Sequence, residues 1–375
     1  MDEKFIALAL NLAKKNLGLT APNPVVGCVI VENGEILATG TTARGGRPHA
    51  ETVALAKVAD KARLQRATLY VTLEPCCHQG QTPPCVDAII ASGVKKVVIA
   101  TLDICAKVNG GGVSALRQAG VDVVCSVLEK EAQEINHAFF KVQKTSLPFI
   151  TLKLATSLDG KIATKSGASK WITDARARDF THYLRAKNDA IMVGAGTLKK
   201  DNPALSCRLA GLEDHSPIKI IVSGNLNFDE NFAVFQNGNK ESIIIITSED
   251  NAASHQEKII KLQNAGAKII FCNSQNGQIN LIDALKKLAA SGVNSILVEG
   301  GKNLSTQFLK QNLVDELIWI SSNKIVGGDG VDGVGELDFV AVEEVLQNLQ
   351  HRSTTKFGKN DVANFYDNFS FYKNA

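Results

Sequence analysis

Near the start of the chain, Phe5, Leu8 and Leu12 recur at helical spacing and predict an amphipathic first helix. The pattern then changes. Val25 to Val31 is an apolar run that reads as a strand, Asn33-Gly34 as a hairpin turn, and Ile36 to Thr39 as the return strand. Pro48 opens a helix through Leu55 and Ala59, because proline is tolerated in a first helical turn. Ala67 to Leu73 reads as a strand, Pro83-Pro84 opens another helix, and Gly93 closes it. Val94 to Ala100 reads as a strand whose apolar run Val97 to Ala100 is expected where both faces are covered. Ser114 to Ala119, Gly120 and Val121 to Val127 repeat the helix–glycine–strand unit, so residues 1–146 are expected to form a layered α/β domain.

Lys144-Thr145-Ser146-Leu147-Pro148 reads as a junction, because a new strand, Phe149 to Ala155, follows at once. Residues 147–375 then alternate again. Strands are expected at Ala190–Gly194, Ile218–Val222, Ile243–Thr247, Lys268–Phe271, Ser295–Glu299 and Glu316–Ser321. Helices are expected at Asp174–Ala186, His255–Ala265, Leu281–Ser291 and Asn303–Gln311. The reading is two α/β domains end to end, without an internal repeat.

Composition narrows the function classes. With 375 residues and 45% hydrophobic content there is material for two cores, and a mean hydropathy near zero excludes a disordered or membrane composition. The net charge of +3 comes from interspersed acids and bases, so no nucleic-acid partner is indicated. The chain begins Met1-Asp2-Glu3-Lys4, acidic where a signal peptide is basic, and no apolar run approaches the ~20 residues of a membrane span. A cytoplasmic protein is expected. Eight cysteines in so long a chain are not a disulfide framework, and metal ligation is the better account of clustered ones.

Three short segments carry the strongest chemistry: Pro48-His49-Ala50-Glu51, Glu74-Pro75-Cys76 and Pro83-Pro84-Cys85. Catalytic zinc takes three nitrogen or thiolate ligands and keeps a fourth position for water, whose pKa it lowers toward ~7. His49, Cys76 and Cys85 supply such a set. His49 and Glu51 are two residues apart and would diverge by about 200° inside a helix, so they converge only at a helix start, where Pro48 places them. Glu51 is then a proton shuttle rather than a ligand, as in zinc deaminases. Eight residues separate the cysteines where the commonest deaminase signature has two, so a closed structural site with His78 as fourth ligand is the alternative. Cys77 reads as a bystander.

Together with Ala21-Pro22-Asn23-Pro24-Val25-Val26-Gly27, these segments resemble the bacterial bifunctional riboflavin-biosynthesis family, a pyrimidine deaminase fused to a uracil reductase. The span from Thr72-Leu73-Glu74-Pro75-Cys76 to Thr82-Pro83-Pro84-Cys85 is specific to that family. In the second half, Leu152 to Gly160, Trp171-Ile172-Thr173, Asp201 to Leu205 and Val298-Glu299-Gly300-Gly301 agree with it. The resemblance implies a cytidine-deaminase-like α/β/α domain followed by a dihydrofolate-reductase-like α/β domain, binding Zn2+ and NADPH and acting as a homo-oligomer. It implies deamination of 2,5-diamino-6-(5-phosphoribosylamino)pyrimidin-4-one, a small-molecule phosphoribosyl pyrimidine. Reduction of the ribosyl group of 5-amino-6-(5-phosphoribosylamino)uracil to ribityl would follow. It also implies NADP contacts at Ala155, Trp171, Thr197, Asp201 and at Gly301, Lys302, Asn303, Leu304, Ser305, Thr306 and Gln307. Substrate contacts would fall at Asn23, Ser169, Arg185, Leu205, Arg208 and Glu299.

The chain departs from the family at several positions. Thr42 stands where many relatives have histidine, Gln81 where they have a basic residue, and Asp103-Ile104-Cys105-Ala106 where they have Asp-Pro-Asn-Pro. These positions are expected in the deaminase substrate pocket. Ser223 stands where aspartate is usual.

Physically, Ser295–Glu299, Gly300-Gly301 and a helix from Asn303 offer a strand, bare glycines and exposed amides to a diphosphate. An ordinary tight strand–helix turn has the same sequence. Gly194-Ala195-Gly196-Thr197 is a partial dinucleotide fingerprint lacking its third glycine. Arg185 and Arg208 suit a phosphate, and Glu299 at the end of a buried strand is expected to accept hydrogen bonds from substrate. Two rival readings stand: a zinc deaminase of another base fused to a folate-type reductase, and a non-enzymatic nucleotide-binding protein that keeps zinc for stability.

Overall fold

A computed structural model describes residues 1–105, 108–236, 243–275, 278–341 and 349–368. The chain divides into two compact units, Met1–Ser146 and Leu147–Ala375.

The first unit holds five strands: β1 Gly27–Glu32, β2 Glu35–Thr41, β3 Thr68–Val71, β4 Lys96–Ile99 and β5 Asp122–Val124. They form one sheet in the order β2-β1-β3-β4-β5. The two β1 pairings are antiparallel and the β3–β4 and β4–β5 pairings parallel. Period-2 alternation sends Cys28, Ile30, Leu69, Val71, Val97 and Ile99 to one core and Val29, Val31, Tyr70 and Val98 to the other. Helices Ala50–Lys57, Cys85–Ser92 and Gly111–Gln118 cover the first face, and helices Asp2–Lys14 and Glu129–Ile135 the second. Strands covered on both faces are largely apolar, which is why Val97 to Ala100 reads as it does.

Three details differ from the sequence reading. The first helix buries Phe5, Ile6, Ala9, Leu10 and Ala13, whereas Leu8 and Leu12 lie at the edge of its apolar stripe. Helix Ala50–Lys57 begins after both Pro48 and His49, and His49 keeps extended backbone angles as its N-cap. Helices Glu129–Ile135 and His137–Thr145 are short, run together and have mixed polarity, so periodicity does not single them out.

The second unit contributes β6 Phe149–Thr156, β7 Lys161–Ala163, β8 Ala190–Gly194, β9 Ile218–Val222, β10 Ile243–Ser248, β11 Ala267–Cys272, β12 Ser274–Gln275 and β13 Gln278–Ile279. It continues with β14 Ser295–Val298, β15 Glu316–Ser321, β16 Val331–Asp332, β17 Leu349–Phe357 and β18 Asp361–Asn368. Nine of these make one sheet, in the order β11-β10-β9-β8-β14-β6-β15-β18-β17. From β11 to β15 the pairings are parallel, and the terminal hairpin β17–β18 adds antiparallel. That hairpin escapes sequence reading because β17 is exposed along nearly its whole length and shows no apolar alternation. Helix Ala175–Lys187 is N-capped by Asp174, whose carboxylate accepts from Ala177 N at 2.9 Å. The C-terminal ends of the adjacent central strands β8, β14 and β6 open onto one side, the usual place for a ligand in a parallel sheet.

Candidate active sites

In the first unit, two helix starts meet. His49 is the N-cap of helix Ala50–Lys57, and Cys85 is the first residue of helix Cys85–Ser92. Among the described residues, His49, Cys76 and Cys85 form the metal-ligand cluster, with ligand atoms all within 4.8 Å of one another. His49 Nδ1 lies 3.2 Å from Cys85 Sγ and 3.6 Å from Cys76 Sγ. The Cys85 amide donates to Cys76 Sγ at 3.3 Å, a helix-start N–H directed at a thiolate. The eight residues between the cysteines run without helix or strand to the start of helix Cys85–Ser92. His78 lines the same cavity but is not in the cluster, which speaks against the closed site with His78 as fourth ligand.

The electrostatics suit a dication. Hydrogen bonding from Cys85 and His49 brings the Cys76 thiol down to about 4. The Cys76 thiolate and burial push the Cys85 thiol strongly up, and a dication held by both sulfurs would stabilise the second thiolate. One neutral imidazole and two thiolates balance the charge of zinc. Glu51 is buried beside them, and burial raises its carboxyl above the ordinary range.

The cavity around the cluster measures about 350 Å³, and Asn23, Thr42, Arg47, Glu51, Asp103 and Cys105 are in its wall. Asn23 donates through Nδ2 to Gly46 O at 2.8 Å. Thr42 is buried, and its Oγ1 accepts from Val26 N at 3.0 Å. Gln81 is exposed and outside this wall, which corrects its expected place in the pocket. Ala106 lies outside the described residues. Glu74, whose role the motif alone does not disclose, holds the cavity wall in place. Its Oε2 accepts from Asp103 N at 3.2 Å and Gly110 N at 3.0 Å, and its Oε1 from Val113 N at 3.0 Å. Gly112 permits this approach, since a Cβ there would stand 2.2 Å from Pro75 O. Cys77 is only partly buried, and its Sγ faces Gly111 instead of the cluster.

In the second unit a cavity of about 920 Å³ includes Ala155, Ser169, Trp171, Arg185, Thr197, Asp201, Leu205, Arg208, Glu299 and Gly301 to Leu304 in its wall. A neighbouring cavity of about 670 Å³ shares Gly194, Gly196 and Lys302 to Leu304 with it, and adds Ser223, Thr306 and Gln307. Through these shared residues the two cavities adjoin as one trough. Gly301 is the N-cap of helix Lys302–Lys310. Ser305 is fully buried and lines neither cavity; its N–H donates to Gly301 O at 3.2 Å and its hydroxyl to Gly300 O at 3.4 Å. Helical geometry turns it inward while its neighbours at 302, 303, 306 and 307 face the trough.

Glu299 and Arg185 pair with each other on the cavity wall. Arg185 Nε and Nη2 reach the Glu299 carboxylate at 2.7 and 3.1 Å, and Lys153 Nζ adds a bond at 3.2 Å. Burial raises the Glu299 carboxyl, but Arg185 and Lys153 outweigh it and hold it at about 2. Arg185 Nη1 also donates to Ser206 O at 3.1 Å, whereas Arg208 is exposed on the cavity wall. Lys153 was not singled out from the sequence because it sits inside an apolar strand, where a lysine gives no pattern; its Nζ contact with Glu299 appears only across the sheet.

A His–Cys–Cys cluster with a buried glutamate in one unit, and a trough at the ends of parallel strands in the other, are the sites of a zinc deaminase fused to a reductase. Residues 1–101 match the family model of the cytidine and deoxycytidylate deaminase zinc-binding region, and residues 148–362 that of the RibD C-terminal domain. The riboflavin biosynthesis protein RibD of Aquifex aeolicus is 42% identical over 92% of this chain and 93% of its own length. That of Escherichia coli is 38% identical over 88% and 89%. The solved deaminase/reductase of Thermotoga maritima is similar at a TM-score of 0.81 and 34% identity, covering 98% of both chains. Acinetobacter baumannii RibD is similar at 0.85 and 31%, with 98% of each covered. The chain belongs to the RibD family of riboflavin biosynthesis proteins. It is a bifunctional deaminase and reductase that uses zinc and NADPH.

Proposed function

We propose that residues 1–146 deaminate 2,5-diamino-6-(5-phosphoribosylamino)pyrimidin-4-one. We propose that residues 147–375 then reduce the ribosyl group of 5-amino-6-(5-phosphoribosylamino)uracil to ribityl. Both substrates follow those that the Thermotoga maritima relative is named for. The observation that carries the first step is the convergence of His49, Cys76 and Cys85 with Glu51 at the base of one cavity. These three residues would hold the zinc, which when bound supplies a Lewis acid and lowers the pKa of water.

The chain's own groups do the rest. Glu51 takes a proton from the attacking water and returns it to the departing amine, so a C–N bond breaks, a C–O bond forms and ammonia leaves. Burial raises its carboxyl above the ordinary range, which makes it a stronger base toward that water. Asn23 and Asp103, on the same wall, orient the pyrimidine. In the second unit NADPH would supply hydride. The trough takes it along Gly301 to Leu304, Thr306, Gln307, Ala155, Trp171, Thr197 and Asp201, with Ser305 supporting the helix from inside. Substrate would lie against Ser169, Leu205 and Arg208, while the Arg185–Glu299–Lys153 group forms a charged floor.

We take the protein to be cytoplasmic, since the eight cysteines are all free, and to act as a homo-oligomer, since β17 leaves an exposed sheet edge. No helix among the described residues is long and apolar enough to cross a membrane. Incubation with the diaminopyrimidine phosphate, with and without NADPH, tests the reaction by product mass. A deaminated product alone without NADPH, and a further reduced one with it, is the expected result. An unchanged substrate in both arms rejects the assignment.

A further inference from the structure

The phosphate of the proposed deaminase substrate needs a positive partner, and the cavity offers few. Among the described residues of its wall, Arg47 is the one lysine or arginine, and the histidines are the cluster's His49 and His78. The carboxylates are Glu51, Glu74 and Asp103. Glu74 is committed to three main-chain amides, and Asp103 accepts from Cys105 N at 2.8 Å. A dianionic tail entering beside these acids is repelled unless a cation meets it at the rim.

Arg47 is built for that position. It precedes Pro48-His49, is partly buried, and its Nη1 donates to Thr82 Oγ1 at 2.8 Å. That single bond fixes the plane of the guanidinium and commits one of its five N–H donors, leaving a fork that matches phosphate oxygens. Thr42 is neutral, buried and bonded to Val26 N, and Gln81 is exposed and off the cavity. The positive charge stands instead on the segment that delivers the histidine ligand.

We infer that Arg47 binds the phosphate of the deaminase substrate and makes this unit prefer phosphorylated over free ribosyl pyrimidines, an inference that rests on the deamination proposed above. A purely structural reading of Arg47 is that its bond to Thr82 ties the His49 segment to the Cys85 segment. The two readings separate experimentally.

In the full-length zinc-loaded protein, Arg47→Gln should raise KM for the phosphorylated substrate about 10- to 100-fold, the usual weight of a charge-assisted hydrogen bond. Zinc content, kcat and the KM of the dephosphorylated substrate should stay unchanged. Thr82→Val, which keeps the charge and removes the tie, should raise that KM less. Calorimetric titration with ribose 5-phosphate should show binding to the unaltered protein that weakens by the same factor in Arg47→Gln and with rising salt. Equal losses on both substrates, or loss of zinc, would leave Arg47 as a structural tie. An unchanged KM and unchanged ribose 5-phosphate affinity would place the phosphate elsewhere. If the unaltered protein deaminates neither substrate, the proposed reaction falls, and Arg47 stands or falls on the titration alone.

Discussion

At the scale of single residues, Glu51 is the group whose chemistry and position agree most closely. It is buried, it lines the cavity and it follows the histidine ligand by two positions at a helix start. On the proposal that it moves protons and does not hold metal, Glu51→Gln should keep zinc and lose about 10²–10⁴ in deamination rate. Metal analysis beside an ammonia-release assay decides it, and near-normal turnover in the variant removes Glu51 from the mechanism. The cysteines make a complementary case. Cys76→Ser and Cys85→Ser each delete a thiolate from the cluster and should cost most of the bound zinc. Cys77→Ser should cost none, because its sulfur faces Gly111. Zinc titration of the three variants checks this, and a zinc-deficient Cys77→Ser protein would contradict the ligand set. Glu299 illustrates the limit of reading a residue alone. An acid at the end of a buried strand needs partners, and here those partners are Arg185 and Lys153 from its own unit.

At the scale of elements, the turn from β14 into helix Lys302–Lys310 serves two purposes at once. A Cβ at Gly301 would stand 3.0 Å from Thr197 Oγ1, and one at Gly300 would stand 2.9 Å from Leu304 Cβ. Both glycines are therefore needed for packing between elements, quite apart from any cofactor. The same bareness leaves the helix's first amides open, with the partial positive charge that a diphosphate favours. Gly301→Val should weaken NADPH binding at least about tenfold, by crowding Thr197 and excluding the diphosphate, and should leave zinc content and deamination untouched. Isothermal titration with NADPH reads the affinity. Normal binding would direct attention to the Gly194-Ala195-Gly196 turn, where a Cβ at Gly196 would meet nothing within 4 Å.

At the scale of the whole molecule, each unit carries its own sheet and its own buried clusters. Expression of residues 1–146 and 147–375 as separate chains should therefore yield a zinc-binding deaminase and an NADPH-binding reductase. The check is solubility, zinc content and NADPH titration of each piece. Two insoluble or inert halves would mean that each depends on the other for folding, and the boundary would have to be abandoned.

What the sequence determined by itself is what depends on local order. The zinc segments are short, each sits at a proline-marked helix start or strand end, and the ligand types follow from zinc's own preferences, so His49, Glu51, Cys76 and Cys85 were legible before any fold. The parallel strands were legible because burial on both faces makes them largely apolar. Tertiary structure decided what depends on partners distant in the chain. It turned Ser305 inward, set Gln81 outside the cavity, gave Glu74 three amides to hold, and joined Glu299 to Arg185 across 114 positions. It also added β17, an exposed strand placed by its ladder with β18 and not by any apolar pattern of its own. Periodicity records which face of an element is buried, but it carries no information about which charged or polar group stands opposite.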